Sequence, residues 1–379
     1  MKRCRLLFLL SSSVRAGIEE HVLDLLQSLS KEHFVFGLAC PAALADAMAT
    51  ELEPLPVEVF HVAATGWTRL QEIRRLWKIL QRFQPDVVHC HLFRATLVGA
   101  PLAKAASVPV VLETYHGREA WRQGTLKGNF VVDRFVSHYV DRIIAVSEAA
   151  AHFLVEAKGI PEQKITVIPN GRNLRTFTPS NPQHGTAIRR QLRIPETAPL
   201  LGVVGRLEAQ KGHCFLLEAL PLILAEFPDT RLLLVGEGRL QSALEAQVEQ
   251  LGVRDAVIFA GFQRDVPSYI DVMDVMILPS LHEGMPLTAI EAAAMAKPMV
   301  ATAVDGTVEV VQHGITGLLV PPAMSAPLAE AILTLLRQPE LTQQYGRAAR
   351  ERALKQFDRQ RQVTDTEHLY LATVSGRKK

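Results

Sequence analysis

The chain has 379 residues, 48% of them apolar, and its 41 basic and 39 acidic side chains leave a formal charge of +2. That length accommodates two core-bearing domains, and near-neutrality excludes a nucleic-acid binder relying on a broad basic surface. The four cysteines, Cys4, Cys40, Cys90 and Cys214, form no Cys-x-x-Cys pair, which argues against a zinc or redox centre and for reduced thiols.

Basic residues and the apolar run Leu6 to Leu10 open the chain. The run is shorter than the core of a secretory signal and reads as a buried first strand. No segment has the length of a membrane span, so a cytoplasmic location is expected. Strand-like runs then alternate with helix-period stretches, at Arg5 to Leu10, Phe34 to Cys40, Val57 to Val62, Asp86 to His91, Val108 to Thr114, Arg142 to Ser147 and Ile165 to Pro169. This is the α/β pattern of a parallel, doubly wound sheet covered by helices.

After the first strand, Gly17 lies in a turn that opens a helix. Such a turn can approach phosphate, but the Gly-x-Gly-x-x-Gly dinucleotide fingerprint is absent, and an ordinary loop fits as well. From Trp67 to Phe83 an amphipathic helix sets Trp67, Leu70, Ile73, Leu76, Trp77, Leu80 and Phe83 against Arg69, Arg74, Arg75, Lys78 and Arg82. Its basic face is either solvated or laid on an anionic membrane. His89 and His91 share one face of the fourth strand. They could form a metal pair, but with no third ligand evident nearby polar strand-end residues lining a cleft fit better. His116 closes the fifth strand, at the edge where open parallel sheets bind ligands. The basic, aromatic stretch Arg118 to Phe130 suits acceptor recognition or is a plain loop. Prolines between Arg175 and Pro199 mark a linker.

A second alternation follows, with strands Leu201 to Gly205, Arg231 to Gly236, Ala256 to Gly261 and Val275 to Pro279, and helices His213 to Phe227 and Leu240 to Leu251. Between its first strand and helix, Arg206 and Lys211 sit near a helix N-terminus, where two cations suit a diphosphate. The stretch Leu278 to Met295 then runs from a buried strand through a turn into a helix. Glu283 lies in the turn and Glu291 about two helical turns further on. Gly284 lets backbone approach a ligand, Pro286 suits the first helical position, and the amides of Leu287 and Thr288 point from the positive helix end. Two carboxylates beside phosphate make sense if they accept hydrogen bonds from hydroxyls, one of a sugar and one of a ribose. The alternative is a surface turn with solvated glutamates.

Gly205-Arg-Leu with Lys211-Gly, Leu234-Val-Gly-Glu-Gly238, Phe259-Ala-Gly261, Pro279-Ser with Glu283-Gly and Glu291-Ala, and Gly317-Leu-Leu-Val-Pro-Pro322 occur in this order. In these motifs the chain resembles family four of the retaining glycosyltransferases, over nearly its whole length. The resemblance implies the GT-B fold of two facing Rossmann-like domains. Residues 1–175 would form the acceptor-side domain, 176–357 the donor domain, and 358–379 a last helix crossing back to the first. It further implies transfer of a sugar from a nucleoside-diphosphate donor, a UDP-sugar favoured, to a hydroxyl of a cell-envelope glycan or lipid-linked acceptor. No metal or cofactor is implied; it is the basic helix near Arg74, and not the resemblance, that suggests peripheral contact with the inner membrane face.

By the same resemblance, Arg206 and Lys211 neutralise the departing diphosphate, together with the amides after Gly284. Glu291 holds the ribose, and Glu283 and His116 position the donor sugar. Gly17 sits near the phosphates or acceptor, Met285, Leu287 and Thr288 complete the donor turn, and Phe262 and Gln263 line the base pocket. Three positions depart from the family pattern: Ala296 stands where a glycine commonly ends the helix, Ala16-Gly17 offers one glycine for two, and Asp305-Gly306 replaces a glycine pair. Two other readings compete. A nucleotide-sugar epimerase of the same fold would need acid/base carboxylates such as Glu113 or Glu119, and a catalytically silent nucleotide-sugar-binding protein would need none.

Overall fold

Short strands that are apolar on both faces must be covered on both faces, and most of the thirteen strands among the described residues are of this kind. The structure is a computed structural model, and it describes residues 3–63, 69–118, 130–179 and 182–377. Two units divide the chain, Met1–Asn170 with Arg359–Lys379, and Gly171–Asp358.

The first unit holds β1 (Cys4–Leu10), β2 (Phe34–Cys40), β3 (Val57–His61), β4 (Val87–His91), β5 (Val110–Tyr115), β6 (Arg142–Ala145) and β7 (Ile165–Val167). They form one parallel sheet in the order β3-β2-β1-β4-β5-β6-β7. The order reverses beside β1, where Leu6 is in register with Phe36 on one side and Val87 on the other. Ligands of open α/β sheets bind at such a switch point. Leu6, Phe8 and Leu10 pack on one face with Phe34, Phe36 and Tyr370, and Leu7 and Leu9 pack on the other with Leu76, Leu80 and Phe83. Each such burial contributes roughly 1.5–3 kcal/mol. Tyr370 belongs to the helix Arg359–Arg377, which also pairs Arg359 with Asp24 at 2.8 Å and Glu367 with His33 at 2.6 Å.

The amphipathic helix spans Leu70–Phe83. Leu76, Ile79, Leu80 and Phe83 are its buried stripe, while Leu70 and Trp77, expected on that stripe, are 60% and 37% exposed. Trp77 is adjacent to Leu76 in sequence and so turns about 100° away from it. Trp67 lies outside the described residues.

In the second unit, β8 (Leu200–Val204), β9 (Arg231–Val235), β10 (Val257–Gly261), β11 (Val275–Leu278), β12 (Met299–Thr302) and β13 (Gly317–Val320) run parallel in the order β10-β9-β8-β11-β12-β13. The expected strands stop at β11. β12 and β13, no shorter than the expected β11, are not among them. The proline-rich stretch expected as a linker contains the helix Pro182–Gln191. Arg189 ties this helix to the second unit, donating to the carbonyls of Ala198 at 2.9 Å and Val272 at 3.1 Å and pairing with Asp274 at 3.0 Å. Proline at the first helical turn costs no hydrogen bond, so Pro182 opens a helix within the stretch expected to be a linker.

Candidate functional site

The loops after β8, β9 and β11 in the second unit run against one another, and glycines make the approach possible. A Cβ added at Gly212, where φ is +63°, would lie 2.0 Å from the Pro279 carbonyl oxygen, and one at Gly236, where φ is +136°, would lie 2.1 Å from that of Gly205. Only glycine fits such contacts. Gly212 caps the helix His213–Glu226, which places Lys211 one residue before the cap and two before the first helical residue.

Lys211 Nζ sits 2.6 Å from Glu283 Oε1, and Ser280 Oγ donates to the same oxygen at 2.7 Å. Asp305 Oδ2 accepts the Glu283 backbone N–H at 3.0 Å. Gln210 closes the arrangement, accepting from Leu281 N–H through its backbone carbonyl at 2.8 Å and donating from Nε2 to the His282 carbonyl at 2.9 Å. A carboxylate as buried as Glu283 needs this compensation. The expected donor residues Lys211 and Glu283 are therefore in direct contact. Ser280, Gln210 and Asp305 complete the cluster, and sequence reasoning had not assigned them to the site. Asp305 was noted only as a departure from a glycine pair, and its φ of +38° shows why glycine is common there.

Gly284 and buried Met285 lead into Pro286. Pro286 was expected at the first helical position but is the N-cap, with φ −72° and ψ 112°, and the helix is Leu287–Ala294. Its carbonyl accepts the N–H groups of Ala289 and Ile290. Leu287 and Thr288 form the first turn, and the Thr288 hydroxyl is buried without a hydrogen bond among the described residues. Glu291 is buried in this helix and accepts from Arg172 Nε at 2.7 Å. Arg206 is exposed directly after Gly205. Phe262 is 63% exposed and its N–H donates to Glu237 at 3.2 Å, whereas the Gln263 amide donates to the Ala260 carbonyl at 2.7 Å. His213, beside Lys211, is held neutral: burial, then the Lys211 charge, brings its pKa down to about 4.

In the first unit Gly17 is exposed at the start of the helix Gly17–Ser28, whose Glu19 accepts the Ala16 N–H at 2.9 Å. His89 is a core residue, hydrogen-bonded to the Tyr370 hydroxyl and the Thr114 hydroxyl, each at 2.7 Å. His91 has the third neighbour that the sequence did not reveal. His91 Nδ1 lies 3.0 Å from His116 Nε2, and His21, from the helix after β1, completes a group whose ligand atoms lie within 4.8 Å of one another. Burial is the first cause of a pKa well below the ordinary value for His91 and His116, and of about 4 for His21. Neutral imidazoles hydrogen-bond to one another or take a transition-metal ion, and this is the group among the described residues that could hold one. Glu113 lies part-buried in β5. Glu119, Trp121, Arg122 and Lys127 lie outside the described residues.

Residues 185–352 match the family model for Glycosyl transferases group 1, and residues 15–176 that for Glycosyltransferase Family 4. A glycogen synthase of Mycobacterium tuberculosis is 33% identical over 303 residues, covering 78% of this chain and 70% of the relative. The Escherichia coli UDP-Gal:alpha-D-GlcNAc-diphosphoundecaprenol alpha-1,3-galactosyltransferase is 26% identical over 313 residues, 80% of this chain and 81% of the relative. The crystal structure of Anabaena HepE in complex with UDP and glucose aligns with a TM-score of 0.84 over 99% of this chain and 100% of that one, at 24% identity. At that identity the likeness establishes the fold.

Proposed function

The chain belongs to the group 1 glycosyl transferases and has two Rossmann-like domains of the GT-B fold, and from that premise we propose that it transfers a hexosyl group from a UDP-sugar to an acceptor hydroxyl with retention of anomeric configuration. The observation that carries the reading is the Lys211–Glu283 pair beside the N-terminus of the helix Leu287–Ala294. Breaking the sugar–phosphate bond leaves negative charge on the diphosphate. A fixed cation, the exposed Arg206 and the helix amides are preorganised for that charge. Retention follows in this reading from a front-face reaction. The bond from the sugar carbon to the acceptor oxygen forms as the carbon–phosphate oxygen bond breaks, and the leaving phosphate takes the acceptor's proton. No nucleophilic side chain and no metal ion are then needed, and activity is expected to survive chelation. Glu283 accepts from a donor-sugar hydroxyl, Glu291 from the ribose, and His116 contributes a neutral, hydrogen-bonding imidazole.

The UDP and glucose in the HepE crystal structure and the UDP-Gal in the name of the E. coli relative support the choice of donor. That relative's diphosphoundecaprenol acceptor supports a lipid-linked or cell-envelope acceptor. Among the described residues no helix is long and apolar enough to cross a membrane. Exposed Trp77 beside Arg74, Lys78 and Arg82 on one helix supports peripheral contact with an anionic surface.

The test is ligand-induced stabilisation with UDP, GDP and ADP, followed by transfer from UDP-hexoses with NMR of the product's anomeric proton. A ligand that binds only the folded state raises the unfolding midpoint. UDP alone is expected to do so, and the product is expected to keep the donor's α configuration. No shift with any of the three at saturation would reject the donor site, and a β product would reject retention.

A further inference from the structure

We propose that Arg172 is a positioning residue for Glu291, fixing that carboxylate so that it can accept from the two ribose hydroxyls of the nucleotide. The inference rests on the reading of Glu291 as the ribose acceptor. Arg172 Nε donates to Glu291 Oε1 at 2.7 Å, with the two side chains 18% and 6% exposed. Glu291 lies buried in the helix Leu287–Ala294, with the Arg172 guanidinium held against its carboxylate. A glutamate side chain loses rotamer freedom on engaging a ligand. An ion pair made beforehand removes that cost from the binding step.

Arg172 is itself fixed. Its backbone N–H donates to the Phe357 carbonyl at 2.9 Å, its backbone bridges Asp358, and its guanidinium lies 5.6 Å from the centroid of the buried Phe177 ring. The two chain segments so joined, at residues 171–173 and 357–358, adjoin the points where the chain enters and leaves the second unit. The arginine therefore brings a rigid, charged donor to the helix from a segment 119 residues earlier. A guanidinium presents its N–H groups in a fixed plane that matches a carboxylate edge, and a lysine ammonium does not. A vicinal diol needs two hydrogen-bond acceptors at a set spacing, so the orientation of the carboxylate decides whether both bonds form.

The experiment measures the dissociation constants of UDP and of 2′,3′-dideoxy-UDP for the wild-type full chain, Arg172→Ala, Arg172→Lys and Glu291→Gln. Arg172→Ala is expected to weaken UDP about tenfold, the loss of one charge-assisted hydrogen bond, and to leave dideoxy-UDP within about twofold of wild type. Donor KM rises accordingly, kcat changes less, and Arg172→Lys falls between. Where Arg172→Ala does not fold, Arg172→Gln, which keeps an N–H donor, is expected to give the same selective loss. Equal weakening of both nucleotides would make Arg172 a merely structural residue and overturn the proposal. Selective loss in Glu291→Gln without any in the Arg172 variants would overturn the role of Arg172 alone. A wild-type ratio of the two nucleotides in Glu291→Gln would overturn the ribose assignment itself, and the proposal with it.

Discussion

Lys211 Nζ and Glu283 Oε1 lie 2.6 Å apart although 72 residues separate them in the chain. The loops after β8 and β11 meet because these strands are neighbours in the sheet, so two groups assigned separate roles from sequence form one charged unit. Lys211→Ala leaves the carboxylate buried with, among the described residues, the Ser280 hydroxyl as its remaining side-chain donor. Breaking a buried pair from one side costs about 3–5 kcal/mol. Glu283→Gln leaves the more exposed partner unpaired and is expected to cost less. Both variants should lower turnover about 10²–10³-fold, and the double variant Lys211→Met/Glu283→Gln should regain stability but not turnover. Urea unfolding and a donor-turnover assay check this. Turnover restored in the double variant would refute the assigned site.

The glycines of the same loops separate into two kinds. Gly236→Ala forces a φ of +136° on alanine and drives its methyl against the Gly205 carbonyl oxygen, so backbone must move. A loss of roughly 3 kcal/mol or more, and poor soluble yield, is expected. Gly205→Ala meets only the stem of Lys211, at 3.7 Å, and stability should stay within about 1 kcal/mol of wild type. Equal tolerance at both positions would mean that the loops do not pack as described.

Ala296 ends the helix Leu287–Ala294 region with φ +56°, the left-handed conformation. An alanine there bears a strain that glycine lacks, so Ala296→Gly is expected to stabilise the protein by about 0.5–1 kcal/mol, a rise of roughly 1–2 °C in Tm. Calorimetry decides. A lower Tm would show that the methyl contributes more by packing than it costs in strain.

The two α/β units were legible because their central strands are continuous apolar runs, and the loops because Gly205, Lys211, Glu283 and Gly284 sit at strand ends. Short β12 and β13 were not: β12 ends on Thr302 and β13 opens on Gly317, so neither is a continuous bulky apolar run. The contacts that complete the sites were hidden for a different reason. His21 lies in an ordinary amphipathic helix and approaches His91 and His116 only because β1 and β4 pair in the sheet. Arg172, in an isolated bridge with Asp358, has nothing in its spacing that points to Glu291. Sequence periodicity reports which face of an element is buried, while partners across the sheet depend on strand order.

His213 gives the second unit a pH dependence whose sign follows from its burial. The ordinary value of its pKa is 6.5 and burial brings it to about 4 in the folded protein. Between those values the unfolded chain holds a proton that the folded chain does not, so stability falls as pH is lowered through 6.5, and the loss is complete below about 4. The gap amounts to about 3 kcal/mol, accumulating at about 1.4 kcal/mol per pH unit within the window. His213 is buried, and neither ring nitrogen makes a hydrogen bond among the described residues, so His213→Leu removes the titration without orphaning a partner. Hydrogen exchange at the core amides of Val203 and Leu233, corrected for intrinsic rates, reports the second unit alone. Between pH 6.5 and 5 the wild type should lose protection more steeply than His213→Leu, and the two should agree above pH 7.5 apart from a constant offset. Parallel curves across the window would place the acid sensitivity in other groups and remove His213 from the account.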